Sequence, residues 1–176
     1  MHYGKLNFND IANGEGVRVS LFVSGCTNHC KECFNPETWN FNYGQEFTKD
    51  TETQIINALK PDYINGLTIL GGEPFEPRNQ KVLVDLVKNV RRIYPNKSIW
   101  MYSGFRFDDE LLNPNAYPYC DVTRELLNNI DILVDGRFDR DLKNLRLNFR
   151  GSSNQRIILV KESLAQNKVV LSPLNN

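Results

Sequence analysis

The sequence predicts an α/β protein built as an open partial barrel of about five to six mostly parallel strands. Short β-branched or apolar runs, among them Val17–Val23, Leu67–Leu70 and Ser98–Tyr102, alternate with longer stretches of helical period. That alternation is the pattern of βαβ units feeding a parallel sheet. The strands are too few for a closed eight-stranded barrel. No repeat, low-complexity tract or linker divides the 176 residues, so a single domain spanning 1–176 is expected.

Residues 1–15 form a polar lead ending in Asn13-Gly-Glu-Gly16, a glycine turn. Val17–Val23 alternates and is β-branched, so it predicts a strand that runs straight into Ser24-Gly-Cys26. Residues 34–47 are rich in asparagine and aromatics without helical period, and are expected to loop over whatever the cysteines hold. Asp50 or Thr51 can cap a helix that continues to Lys60, with Ile55, Ile56 and Leu59 on one face and Pro61 as its stop. Leu67–Leu70 is a short buried strand, followed at once by Gly71-Gly-Glu-Pro74. A second helix over 79–94 carries the stripe Val82, Leu83, Leu86, Val87, Val90 and Ile93. Ser98–Tyr102 and Ile130–Val134 are further strands, with short helical stretches at 108–112 and 122–128 between them. Arg156–Val160 and Lys168–Leu171 complete the strand set, with no helical pattern between them, and the tail from 161, above all its end at 175–176, is expected to fray.

Lysine plus arginine and aspartate plus glutamate both number 21, so the chain lacks the basic excess of a nucleic-acid binder. No apolar run approaches transmembrane length, no signal peptide is evident, and a cytoplasmic protein without membrane or nucleic-acid partners is expected.

Cys26, Cys30 and Cys33 stand in a C-x3-C-x2-C spacing on the loop that leaves the first predicted strand. Thiolates this close can converge on a soft metal centre. A four-iron cluster held by three protein thiolates keeps one iron open for a ligand. Structural zinc completed by His29 or Cys120 is an alternative, although no second C-x2-C knuckle exists; disulfides are a third, disfavoured in a reducing compartment. In Gly71-Gly-Glu-Pro74 the glycines permit a sharp turn and close backbone approach, and Glu73 offers a carboxylate to a cationic ligand group. Ser103 leaves its strand where it can reach a ligand, and Asp135 ends a buried strand, where α/β folds present functional groups. Cys120 stands alone and is expected to be a buried thiol.

The cysteine spacing together with the Gly-Gly-Glu-Pro turn resembles the radical S-adenosylmethionine enzymes. The further stretches Phe22–Cys26, Phe34–Trp39, Tyr102–Gly104, Val134–Phe138 and Arg150–Arg156 narrow the resemblance. In that order, over about residues 1–160, they are similar to the activating proteins of anaerobic (class III) ribonucleoside-triphosphate reductase. The resemblance implies a minimal radical-SAM core, with one 4Fe-4S cluster on Cys26, Cys30 and Cys33. It also implies S-adenosyl-L-methionine held at its methionine amino group by Gly71, Gly72 and Glu73, with Glu32, Cys33 and Phe34 toward the adenine. Ser103 and Asp135 join the cofactor-binding set from their strand ends, Asp135 with the alternatives of facing the partner or capping a turn. Many members place an aromatic residue before the third cysteine; here Glu32 stands there and Phe34 follows, which leaves the adenine contact to Phe34 or to backbone groups of 32–34. The implied reaction is reductive cleavage of S-adenosylmethionine and removal of a glycine hydrogen from the reductase large subunit, with electrons from a low-potential flavodoxin-like or ferredoxin-like donor. No protein acid, base or nucleophile is required, in keeping with only two histidines, His2 and His29. The rivals are activation of a different glycyl-radical enzyme, another radical enzyme on the same scaffold, and a zinc-binding interaction module.

Overall fold

A computed structural model describes residues 1–175. Seven strands, β1 (His2–Asp10), β2 (Val17–Val23), β3 (Gln45–Glu46), β4 (Ile64–Gly71), β5 (Ser98–Tyr102), β6 (Ile132–Asp135) and β7 (Arg156–Leu159), form one sheet in the order β3-β1-β2-β4-β5-β6-β7. Its middle, β2-β4-β5-β6, is parallel, while β1, β3 and β7 pair antiparallel at the two ends. The sheet does not close on itself. The expected parallel bias therefore holds for the middle and fails at both ends, and the strands number seven rather than five to six.

Four helices, α1 (Lys49–Ala58), α2 (Pro77–Ile93), α3 (Thr123–Asn129) and α4 (Val160–Gln166), accompany the strands. α1 starts two to three residues earlier than expected because Thr48, not Asp50 or Thr51, is the N-cap; its hydroxyl accepts the Thr51 N–H in a capping box. Pro77 at the first turn of α2 pre-sets its geometry. The apolar stripe Leu83, Leu86, Val87 and Val90 packs with Leu21, Leu67, Ile69, Ile99, Met101 and Leu133 from alternate positions of the sheet. The intervening positions point to the other face, where Trp100, Val134 and Ile157 form a second cluster with Tyr102 and Phe149. Phe22, Leu70 and Tyr102 on that same face line the cavity of the candidate site.

β1 lies where a polar lead was expected. Register shifts between Tyr3 and Lys5 and between Asn7 and Asp10 break the period-2 pattern that would have marked it as a strand. The segment after β7 also departs from expectation. Val160 opens α4 rather than ending a strand, and Lys168–Leu171 makes only a bridge from Leu171 to Ile158. α4 has seven residues, no side-chain cap at its start and Asn167 in the left-handed region at its end, so its periodic signal is short. Of the helical stretch expected at 108–112, residues 108–111 lie in a single π turn, Phe107–Leu111, and Leu112 caps it. Asn175 does not fray: its side chain bonds both Ile157 backbone groups and Arg150. Asn176, the other residue of the expected frayed end, lies outside the described residues.

Arg18 binds the middle strands together on the face away from the helices. It is fully buried, and each of its five N–H donors has an acceptor: Thr68 Oγ1 at 2.6 Å, Ser98 Oγ at 2.9 Å, and the carbonyls of Glu15, Leu67 and Ser98 at 3.2, 2.9 and 2.9 Å. Its guanidinium lies 5.4 Å from the Trp100 ring centre. Burial lowers its pKa to about 10, which leaves it charged at neutral pH. Arg18→Ala should therefore cost about 3 kcal/mol or more in urea unfolding of the metal-free protein, since it orphans buried carbonyls and opens a void. A loss below about 1 kcal/mol would contradict this role.

Candidate metal and cofactor site

β2 and β4 are parallel neighbours with Val23 opposite Gly71, so the loops that leave them start side by side. The first carries the cysteines. Gly25 has φ +97°, and a Cβ there would fall 2.3 Å from the Phe41 ring. Gly25 N–H donates to Thr38 O at 2.7 Å and Cys26 N–H to Trp39 O at 3.3 Å, so the 34–47 stretch wraps the cysteine loop as expected. The second loop carries Gly71-Gly-Glu-Pro74. Gly71 has φ +109°, Gly72 N–H donates to Val23 O, and Glu73 N–H donates to Gly25 O, both at 2.8 Å.

Two carboxylates from the second loop hold the residues between Cys26 and Cys30. Glu73 is completely buried; its Oε1 accepts from Phe75 N–H and Ser103 Oγ–H, and its Oε2 from Gly104 N–H at 2.7 Å and Asn28 Nδ2–H at 3.0 Å. Burial pushes its carboxyl up to about 7, while the donors of Phe75, Gly104 and Ser103 pull it back. Glu76, also buried, accepts from Thr27 N–H at 2.7 Å, Thr27 Oγ1–H at 2.6 Å and Tyr117 Oη–H at 2.8 Å. Asn28 passes the connection onward, accepting from Arg137 Nε–H at 2.9 Å, and Arg137 makes a two-pronged contact with Glu110. His29 stacks on Trp39 with ring centres 4.7 Å apart.

Cys26, Cys30, Cys33, Phe34, Gly71, Gly72, Glu73 and Ser103 all line one cavity of about 620 Å³. Most of the expected cofactor residues thus share one space, but their roles differ from the expectation in three places. Asp135 does not reach it: its carboxylate is taken by Arg156 and by Phe107 N–H. Glu32, with φ +58°, turns outward to Arg140 at 3.1 Å. Glu73 faces the cavity with both oxygens already doubly hydrogen bonded, which makes it a brace for the two loops. Phe34 is 63% exposed at the rim, tilted against Phe138.

Thr27, Asn28, Glu76, Tyr117 and Arg137 are site residues that sequence reasoning missed. The available signal was the second acid of Glu73-Pro-Phe-Glu76, a buried carboxylate pair waiting for donors. Cys120 lies apart, beside Thr123, and is half-buried where a buried thiol was expected.

All four cysteines are free thiols, which sets aside the disulfide alternative. Among the described residues, no three His, Cys, Asp or Glu side chains converge on a single-ion site, so neither His29 nor Cys120 completes a zinc tetrahedron. Three soft thiol donors facing one cavity suit a cluster with an open corner. Burial pushes the Cys26 thiol up to about 12 and raises Cys30 as well, so metal binding must displace those protons.

A family described as a 4Fe-4S single cluster domain matches residues 12–158. Relatives named anaerobic ribonucleoside-triphosphate reductase-activating protein match over most of the chain. That of Escherichia coli K12 is 42% identical, covering 88% of this chain and 96% of its own. That of Enterobacteria phage T4 is 37% identical, covering 89% and 93%, and that of Pasteurella multocida 40%, covering 88% and 95%. The chain belongs to the family of anaerobic ribonucleoside-triphosphate reductase-activating proteins. In this activating protein the matched 4Fe-4S region contains the cysteine loop, both bracing carboxylates and the whole parallel middle of the sheet.

Replacing the brace should loosen the loop. Glu76→Ala strands Thr27 N–H and both hydroxyls, and should cost about 1–3 kcal/mol in unfolding of the metal-free protein. Iron retained after anaerobic reconstitution should fall with it, whereas unchanged stability and full iron content would show that Thr27 needs no acceptor.

Proposed function

We propose that this single-domain chain activates an anaerobic ribonucleoside-triphosphate reductase. The observation that carries the reading is the set of three cysteine thiols lining the same cavity as the Gly-Gly-Glu turn. Cys26, Cys30 and Cys33 would hold one 4Fe-4S cluster. When bound, that cluster supplies the electron that cleaves S-adenosylmethionine to methionine and a 5′-deoxyadenosyl radical, which takes a hydrogen from a glycine of the reductase large subunit.

The protein's own share is positioning and shielding. Gly71 and Gly72 offer backbone oxygens to the methionine amino group from a turn that packs against the backbone of Val23, Gly25 and Thr38, where a Cβ would clash, and Glu73 adds negative charge beside them. Ser103 fixes the Glu73 carboxylate, and as a cavity-lining residue it offers its hydroxyl oxygen to the ribose or carboxylate. Phe34 and the backbone of 32–34 bound the adenine end. Phe22, Trp39, Leu70 and Tyr102 make much of the remaining wall apolar, which keeps water from a reactive radical. We assign the sheet to a reduced radical-SAM partial barrel, its helix-free face forming the inner side. A cytoplasmic location and a low-potential flavodoxin-like or ferredoxin-like donor fit this chemistry.

Cys30→Ala should abolish the broad absorbance at about 400 nm of the reconstituted protein and its S-adenosylmethionine cleavage together. Retained cleavage in that variant would refute the assignment. Wild-type protein incubated anaerobically with the reductase, reductant and S-adenosylmethionine should yield a glycyl radical by electron paramagnetic resonance.

A further inference from the structure

Residues 137–150 carry five basic side chains, Arg137, Arg140, Lys143, Arg146 and Arg150, against two acidic ones, in a chain whose charges balance overall. Arg137 is held by Glu110, Arg140 by Glu32, and Arg150 by Asn175 and the Gln155 carbonyl. Lys143 and Arg146 have no carboxylate partner among the described residues: Lys143 lies over the Phe34 ring at 5.5 Å, and the Arg146 backbone N–H alone is bonded, to Asn144.

These two cations sit on a built loop. The Lys143–Ser152 bridge closes its base, with Asn144 N–H to Gly151 O at 3.2 Å and Ser153 N–H to Leu142 O at 3.0 Å. Phe149 roots it by packing edge-on against Trp100, ring centres 5.3 Å apart. Leu145 is 88% exposed, Leu142 just before the loop is 43% exposed, and Lys143 between them lies over the exposed Phe34 ring. The loop's inner side, through Leu145, Leu147 and Phe149, forms part of the cavity wall. Apolar side chains are thus left open to water, flanked by unpaired positive charge, at the mouth of the cavity.

We infer that loop 143–152 is the docking edge for the reductase segment that carries the reacting glycine, and that this segment presents acidic groups beside an apolar side chain. The inference rests on the activating role proposed above and names how that site recognises its partner. A segment that surrenders a hydrogen inside the cavity must cross its rim, and this loop is rim and wall at once. Lys143 and Arg146 would pair with its acids, while Leu142 and Leu145 cover its apolar group; such pairs set orientation and on-rate, and buried leucines slow release.

The test compares wild type with Lys143→Glu/Arg146→Glu, measuring affinity for the anaerobic reductase by calorimetry and dithionite-driven S-adenosylmethionine cleavage without reductase. Neither residue lines the cavity, so cleavage should stay within about twofold of wild type while the dissociation constant rises about tenfold or more. An affinity within about twofold of wild type overturns the inference, and so does slower reduction by an acidic flavodoxin-like donor with reductase affinity intact, which would make the loop an electron-entry surface. If the double variant fails to fold, Arg146→Glu alone, at the exposed tip, decides by a rise of about threefold or its absence. Wild-type protein showing this loop-dependent affinity but no cleavage would instead sink the activating role and leave the docking edge standing.

Discussion

Parallel pairing of β2 with β4 brings together two loops that lie more than forty residues apart in the chain, the cysteine loop and the Gly-Gly-Glu turn. Everything at the site follows from that pairing. Gly72 and Glu73 extend it past the strand ends by donating to Val23 and Gly25. Glu73 and Glu76 then reach back to Asn28 and Thr27, so the first two of the three positions between Cys26 and Cys30 are gripped by buried carboxylates. A loop of this length, with His29 and Glu32 in the left-handed region, would otherwise be free to wander. The carboxylates give its thiols a defined place before any metal arrives.

The same sheet separates support from chemistry. One face is covered by α1 to α4 and their aliphatic stripes, and the other holds Arg18, Trp100 and the cavity. A fully buried guanidinium is costly to desolvate. Here its five donors, reaching out from β2, are all used against β4, β5 and the loop before β2, so it fastens the parallel middle on the side that has no helices. The cavity can therefore stay open without weakening the strands that aim the loops into it.

Much of this was legible in the sequence for identifiable reasons. β2, β4, β5 and α2 carry clean periods, and the three cysteines and Gly71-Gly-Glu are short, local motifs. β1 was not legible because two register shifts scramble its alternation, and α4 because two helical turns without a cap leave too little pattern. Asp135 misled: ending a buried strand, it resembled a site residue, but Arg156, twenty-one residues on, claims its carboxylate. Glu76 and Tyr117 were invisible for the converse reason, since their partners Thr27 and each other lie about forty to fifty residues away along the chain. Hydrogen bonds over that separation leave no periodic trace.

The account turns on a thiolate tripod with one corner left for a small-molecule ligand. Electron paramagnetic resonance of the dithionite-reduced, reconstituted protein, recorded with and without S-adenosylmethionine carrying nitrogen-15 in its amino group, tests that directly. A shifted cluster signal with hyperfine coupling to the labelled nitrogen is the predicted result. A cluster signal indifferent to the added molecule, or one showing a fourth ligand from the protein, would contradict it.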